Sequence, residues 1–116
     1  MRIDYANDVP MTVDFTGDWI DSVIKDTLTK RQLALTSAQI FWSGAVGSPT
    51  GIIQVLASND GETPSLLNAY TVDTANNTND AILAIIDPIS DKISFRFLHN
   101  SMTAGRFSII LNYSPI

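Results

Sequence analysis

Two stretches in the second half of the chain alternate apolar and polar residues, and this pattern restricts the fold most. Residues 93–97 place Ile or Phe at every second position, and residues 107–113 do the same with Phe, Ile, Leu and Tyr. Only Ile110 breaks the alternation. Because successive side chains of a strand point to opposite faces, each stretch puts its large side chains on one face of a sheet. The pattern predicts two half-buried strands.

Shorter apolar runs separated by turn-forming residues predict further strands. The candidate strands are 11–15, 32–43, 51–58, 66–72 and 81–86. The candidate turns between them are 44–50, 59–64, 73–80, 87–91 and 100–105. The run 81–86 is apolar on both faces, which is typical of a central strand.

Strands at this spacing predict one all-β domain over 1–116. We expect a single-domain antiparallel β-sandwich or jelly roll of about 7–9 short strands. Residues 1–16 form an N-terminal arm or edge strand in this prediction. The composition agrees, because eleven Asp stand against the single Glu62, and Asp favours turns and caps over helix interiors.

One segment fits a helix better than a strand. Trp19, Ile20, Val23, Ile24 and Leu28 recur at offsets of three and four residues, the spacing of a helical face. This predicts one short helical turn near 18–28. The alternative is two short extended pieces on either side of Asp21 and Ser22.

Charge and composition exclude several classes of function. The chain has no cysteine, so disulfides and thiolate chemistry are excluded. Its net charge is −5, and only Lys30 and Arg31 are adjacent basic residues, so no basic stripe predicts nucleic-acid binding. Met1 is followed by Arg2 and Asp4 instead of the apolar run of a signal peptide, and no segment reaches the about 20 apolar residues of a membrane span. We expect a protein made in the cytoplasm, without membrane insertion.

The negative charge is concentrated near the amino end. The first 26 residues contain six Asp against one Arg and one Lys, a net charge of −4. This segment either faces a basic neighbour or forms an ordinary solvated surface.

No residue stands out as catalytic, cofactor-binding or metal-ligating, so the sequence predicts a protein that is not an enzyme and needs no cofactor. His99 is the single histidine, and it follows a predicted strand, where a structural hydrogen bond is the simpler role. The loops 58–62 and 73–80 carry the oxygen-bearing residues that calcium prefers. The same residues also gather in turns for local hydrogen-bonding reasons, which is the interpretation favoured here.

Two sequence blocks resemble a known group of proteins. The first comprises 39–44 (QIFWSG) and 51–60 (GIIQVLASND), and the second comprises 92–97 (KISFRF) and 103–110 (TAGRFSII). Together they are similar to small β-sandwich proteins encoded among bacteriophage and prophage structural genes.

The resemblance implies a structural component of the virion, in a capsid, a capsid decoration, a vertex or spike, or a fibre. Its expected partners are other virion proteins and further copies of itself. The alternative is a carbohydrate-binding or receptor-binding sandwich that recognises a host surface glycan near 59–64 or 73–80. A third hypothesis is a small hydrolase built on His99 and an aspartate.

Overall fold

The computed structural model describes residues 1–47, 51–72, 81–86 and 90–116. The regular structure of these residues consists of strands, and none of them lies in a helix. Their ten strands are β1 (Arg2–Pro10), β2 (Phe15–Thr16), β3 (Ile20–Asp21), β4 (Val23–Lys25), β5 (Gln32–Gly47), β6 (Ile52–Ser58), β7 (Ser65–Thr71), β8 (Ala81–Ile85), β9 (Lys92–Leu98) and β10 (Met102–Pro115). The prediction of an all-β chain is confirmed.

The strands form two antiparallel sheets. In the first, called the β10 sheet, β10 lies between β1 and β5, and both β4 and β8 pair with the other side of β5. In the second, called the β9 sheet, β6 lies between β9 and β7, and both β2 and β3 pair with the other side of β9.

The connectivity is that of a jelly roll. The antiparallel pairs β1–β10, β2–β9 and β5–β8 join early strands to late ones, and the consecutive strands β6 and β7 pair at the closed end, as in an antiparallel ribbon folded over on itself. The short strands β3 and β4 lie within the connection between β2 and β5. The predicted β-sandwich is confirmed, and its jelly-roll form follows from the strand order.

One hydrophobic core lies between the sheets. It takes Phe95 and Phe97 from β9 and Phe107, Ile109 and Leu111 from β10, all of them at most 1% exposed. The rings of Phe97 and Phe107 have centroids 5.1 Å apart. The alternating side chains of 93–97 and 107–113 therefore face the core, as the sequence pattern predicts.

The strand predictions for 32–43, 51–58 and 66–72 hold with shifted ends. The predicted strands 51–58 and 66–72 correspond closely to β6 and β7, whereas β5 continues four residues beyond the predicted end at 43. Gly44, the first residue of the predicted turn 44–50, has a φ of +65° but lies inside β5. The predicted turn 73–80 and residues 87–89 of the predicted turn 87–91 lie outside the described residues.

The prediction of a helical turn near 18–28 is wrong. Ile20 and Asp21 form β3 on the β9 sheet, and Val23–Lys25 form β4 on the β10 sheet. Ser22 lies at the crossing between the two sheets, where its buried hydroxyl donates to the carbonyl oxygens of Ser90 and Asp91. The alternative of two extended pieces is correct, because each piece obtains its backbone hydrogen bonds from a different sheet.

The first 16 residues divide differently from the prediction. Arg2–Pro10 form the edge strand β1, whereas residues 11–14 of the predicted strand 11–15 form a turn that leads into β2 at Phe15. Met11 is fully buried, and its N–H donates to the carbonyl oxygen of Gly105 at 2.9 Å. The alternation of 11–15 therefore reflects one buried anchor in a turn and not a strand.

The prediction that 81–86 is a central strand is also wrong. Among the described strands, β8 pairs only with β5, and its side chains at Leu83 and Ile85 are 62% and 73% exposed. Ala84 and Ile86 face the core on the other side. An apolar run on both faces does not distinguish a central strand from an edge strand whose outer face lacks a partner.

Candidate functional site

The loop between β6 and β7 is organised by two side chains, Ser58 and Asp60. The Ser58 hydroxyl oxygen accepts hydrogen bonds from the backbone N–H groups of Asp60 at 3.2 Å and Gly61 at 3.0 Å, and the hydroxyl donates to Asp60 Oδ1 at 2.7 Å. Asp60 Oδ1 accepts the N–H groups of Glu62 and Thr63, both at 2.8 Å. Asp60 Oδ2 accepts the Thr63 hydroxyl at 3.0 Å. Residues 58–63 therefore form a turn closed by its own side chains.

These donors hold the pKa of the Asp60 carboxyl well below its usual range. The N–H groups of Thr63 and Glu62 contribute most, followed by the hydroxyls of Ser58 and Thr63. The carboxylate is directed into its own loop, which supports the turn interpretation of Asp60 over the calcium interpretation. The second calcium candidate, 73–80, lies outside the described residues. Over the ranges that the structure describes, no three or more His, Asp or Glu side chains are grouped to hold a metal ion.

A cleft of about 490 Å³ lies beside this loop. Its lining is polar at the loop and apolar at the start of β7, and consists of Ala57, Ser58, Asn59, Asp60, Thr63, Ser65, Leu66, Leu67 and Ser90. Asn59 Oδ1 accepts the backbone N–H of Asp91 at 3.0 Å, which joins the loop to the segment before β9. These nine residues offer hydroxyl and amide groups to a sugar, but none of them supplies an aromatic ring for stacking.

His99 pairs with an aspartate from a distant part of the chain. Its Nδ1 lies 2.6 Å from Asp14 Oδ1, and its backbone N–H donates to the same oxygen at 3.0 Å. The backbone N–H and then the ring lower the pKa of the Asp14 carboxyl. The carbonyl oxygen of His99 accepts the N–H of Met102, which closes the turn into β10.

This pair is the closest approach to the hydrolase hypothesis. Sequence reasoning anticipated an aspartate near His99 without identifying Asp14, because the two residues are 85 positions apart. Both side chains are exposed, at 38% and 60%, and neither lines the cleft at the 58–63 loop. The pair connects the turn before β2 to the end of β9 by hydrogen bonds, which is a structural role.

A second cleft, of about 330 Å³, lies where β1 meets the segment 15–20. Tyr5 is one of the residues that line this cleft. Its hydroxyl donates to the carbonyl oxygen of Asp18 at 2.7 Å, and its ring packs edge-on against Phe95 with centroids 5.1 Å apart. Burial raises the pKa of the Tyr5 hydroxyl. Tyr5 thus links the edge of the β10 sheet to the β9 sheet.

The acidic residues of the amino-terminal segment are spread over several local contacts. Asp21 forms an ion pair with Lys92, and Asp14 binds His99. Asp26 Oδ1 accepts the N–H of Leu28 at 2.9 Å, which helps to form the turn between β4 and β5. At least three of the six aspartates are therefore engaged with this chain itself.

Two edge strands expose large apolar side chains. On β8, Leu83 and Ile85 are 62% and 73% exposed, and on β7, Leu66 is 60% exposed. The sequence contained the signal in the apolar run 81–86, but pattern alone gave no means of telling which face lacks a partner.

The chain matches no protein-family model, and comparisons with curated proteins and with solved structures find no match either. Across the four described ranges, no helix has the length and apolar character needed to cross a bilayer. The clefts, the His99–Asp14 pair and the exposed edges are therefore the basis on which a function can be proposed.

Proposed function

We propose that this chain is a non-enzymatic structural protein of a bacteriophage virion, acting through protein–protein contacts. Its place is the capsid, a capsid decoration, a vertex or spike, or a fibre. The observation that carries the proposal is the exposure of Leu66, Leu83 and Ile85 at the edges of the sandwich. Exposed strand edges with apolar side chains are templates for pairing with another chain.

The sequence blocks 39–44, 51–60, 92–97 and 103–110 support the virion setting of this proposal. They contribute to β5, β6, β9 and β10, which are central to the two sheets. The resemblance to phage structural proteins therefore concerns mainly the framework of the jelly roll, and Asn59 and Asp60 extend it into the loop between β6 and β7. Fold alone does not define function, so assembly has to be tested directly.

The chemistry of the cleft beside the 58–63 loop supports a non-enzymatic role. Of the described residues that line the cleft beside the 58–63 loop, Asp60 is the one that can ionise, and its carboxylate oxygens already accept hydrogen bonds from the loop. The imidazole of His99 lies elsewhere, paired with Asp14. The proposal therefore assigns no catalytic residue to this chain.

The test is quantitative mass spectrometry of purified particles from a host that carries the gene. We expect the protein at a fixed copy number relative to the other particle proteins through successive density gradients. A strain expressing Leu28→Lys serves as a control and should incorporate the protein at the same copy number. Leu28 is 91% exposed in the turn between β4 and β5, and so belongs to neither β7 nor β8. Absence of the protein from intact particles would contradict the proposal.

A carbohydrate-binding module is the second candidate. The observation in its favour is the polar cleft at the 58–63 loop, where Asn59, Thr63 and Ser65 offer hydrogen-bonding groups. A glycan array, run with and without calcium, would reveal specific binding that Thr63→Val and Asn59→Ala weaken. A blank array under both conditions would remove this candidate and leave the assembly role.

A further inference from the structure

Within the described ranges, the edge of β8 that faces away from β5 has no partner strand, and it combines two features that favour pairing with another strand. The backbone N–H of Ile86 donates to the Thr36 carbonyl oxygen, so the alternation of an antiparallel ladder directs the backbone polar groups of Ala81, Leu83 and Ile85 away from β5. The side chains of these three residues are also exposed. Each of them thus presents outward backbone groups together with an outward apolar side chain.

The β8 edge lacks the devices that protect other edges of this fold. At the opposite edge of the same sheet, β1 carries Arg2, Asp4 and Pro10, and its pairing has two register shifts. The pairing of β7 with β6 also contains a register shift. In contrast, β8 has no charge and no proline, and its five-residue pairing with β5 is regular. Charges, prolines and bulges at edges prevent strand addition, and β8 has none of them.

We propose that β8 pairs with β8 of a second copy of this chain, in antiparallel orientation about a two-fold axis at Leu83. This inference deepens the proposed assembly role and rests on it. Pairing would join the two β10 sheets into one continuous sheet across the interface.

Charge selects a second copy as the occupant. The chain carries a net charge of −5, yet neither β8 nor the β5 segment that pairs with it, 37–41, contains an ionisable residue. A charged partner strand would lose hydration here without an opposite charge to replace it. A second copy brings an uncharged strand to an uncharged strand, so the two paired strands bury no ionisable side chain.

The side-chain sizes also fit this register. Pairing about Leu83 places Ala81 opposite Ile85 of the second copy, and Ala81 is paired with Phe41 within its own sheet. The small Ala81 thus lies between two large apolar side chains on the outer face. Cross-strand apolar neighbours of this kind stabilise antiparallel pairs.

Disulfide cross-linking tests the register, because the natural chain has no cysteine. In the proposed dimer the two Leu83 residues form a hydrogen-bonded pair with Cα atoms about 5.5 Å apart, within the range of a disulfide. Leu83→Cys should therefore cross-link under mild oxidation at least about tenfold faster than Leu28→Cys, because paired strands raise the effective thiol concentration. Equal rates for the two variants would overturn the proposal.

Mixed cross-linking gives a second, independent readout. Ala81→Cys and Ile85→Cys should form more disulfide when mixed than either forms alone, since antiparallel pairing places 81 opposite 85. Preferential 81–81 or 85–85 products would overturn the two-fold register.

Light scattering during gel filtration tests the association itself. The natural chain should elute as a dimer, and Leu83→Lys should raise the dissociation constant at least about tenfold, because pairing would bring two lysines together. Leu28→Lys, at a side chain that is 91% exposed in the turn between β4 and β5, is the matched control and should remain dimeric, with circular dichroism confirming that both variants are folded. A monomeric natural chain at high concentration would overturn the proposal.

The two proposals fail separately. Particles that contain the chain, together with Leu83→Cys that does not cross-link, would overturn pairing through β8 and leave the virion role intact. A chain that dimerises through β8 but is missing from the particles would overturn the virion role alone.

Discussion

Asp60 shows how one exposed carboxylate can define a loop and make its stability depend on pH. Its pKa in the folded chain is lowered by the N–H groups of Thr63 and Glu62. The unfolded value is about 3.9. Because the folded pKa is the lower of the two, the stabilisation is fully present above the unfolded pKa and is lost as the pH falls through the folded pKa.

We therefore expect Asp60→Asn to be less stable than the natural chain at pH 7. The difference in free energy of unfolding between the natural chain and Asp60→Asn should become smaller as the pH falls below about 4, because the unfolded chain then begins to take up a proton at this carboxylate. Urea unfolding at a series of pH values measures this. Asp4→Asn removes the same charge away from the 58–63 loop, and should not reproduce the narrowing. A constant difference between pH 7 and pH 3 would contradict the role given to Asp60.

The stability of the fold also depends on the close contact between Gly17 and Tyr5. A Cβ atom at Gly17 would lie 1.9 Å from the Tyr5 hydroxyl oxygen, so a larger residue must displace the ring that links the two sheets. We expect Gly17→Ala to lower the free energy of unfolding by about 1–3 kcal/mol. In a Tyr5→Ala background the same substitution should cost much less, because the obstructing ring is gone.

A double-mutant cycle from chemical denaturation measures this coupling. Equal costs of Gly17→Ala in the two backgrounds would show that Tyr5 and Gly17 act independently. The contact between them was not predictable from sequence, because it joins segments that belong to different sheets.

At the scale of the elements, sequence pattern succeeded where one side of a strand faces the core. The strands β9 and β10 alternate in polarity because one face is buried, so their existence and orientation could be predicted. The pattern failed over 18–28, where apolar residues at helical spacing are shared between strands of two sheets. It also failed at β8, because Leu83 and Ile85 resemble core residues although they are exposed.

The candidate surfaces were less predictable than the fold. Ser58 and Asp60 lie close together in sequence, so their turn could be predicted. The His99–Asp14 pair and the exposure of β8 depend on long-range pairing, which single-sequence patterns do not specify.

Two glycines in strands of the same sheet provide a matched test of backbone and packing effects. Gly44 has a φ of +65°, and a Cβ atom added there would meet no other atom within 4 Å. Gly105 has a φ of +121°, and a Cβ atom there would lie 2.9 Å from both Ala45 Cα and Met11 Sδ. We expect Gly44→Ala to cost about 1–2 kcal/mol from backbone strain alone. Gly105→Ala should cost about 1–3 kcal/mol more from overpacking.

Thermal and urea unfolding of the two variants measure the difference. A larger loss of stability for Gly44→Ala than for Gly105→Ala would contradict the close packing of Gly105 against Ala45 and Met11. In a Met11→Ala background, Gly105→Ala should cost less free energy of unfolding than in the natural chain, because one of the two obstructing atoms is gone.

At the scale of the whole molecule, the single core predicts one cooperative unfolding transition. Phe107 has its ring centroid 5.5 Å from that of Phe15 and 5.1 Å from that of Phe97, so it joins β10 to strands of the opposite sheet. We expect Phe107→Ala to cost about 3–5 kcal/mol and to lower the midpoint of the entire transition.

Differential scanning calorimetry checks this, with agreement between the calorimetric and van't Hoff enthalpies as the criterion. Leu28→Ala, at a side chain that is 91% exposed, is the control and should change stability by less than about 0.5 kcal/mol. Two separable transitions would contradict the single-domain prediction for 1–116.

The strand order also has a consequence for how this protein reaches its native state during synthesis. The strand β10 is made last of the ten, yet it lies between β1 and β5 in the centre of its sheet. While the ribosome is still translating, β1 has no partner, and the core-facing side chains of β5 have no neighbour on that side. Such long-range pairing predicts slow folding that is completed only after β10 has emerged, with a period in which chaperones can bind the incomplete sheet.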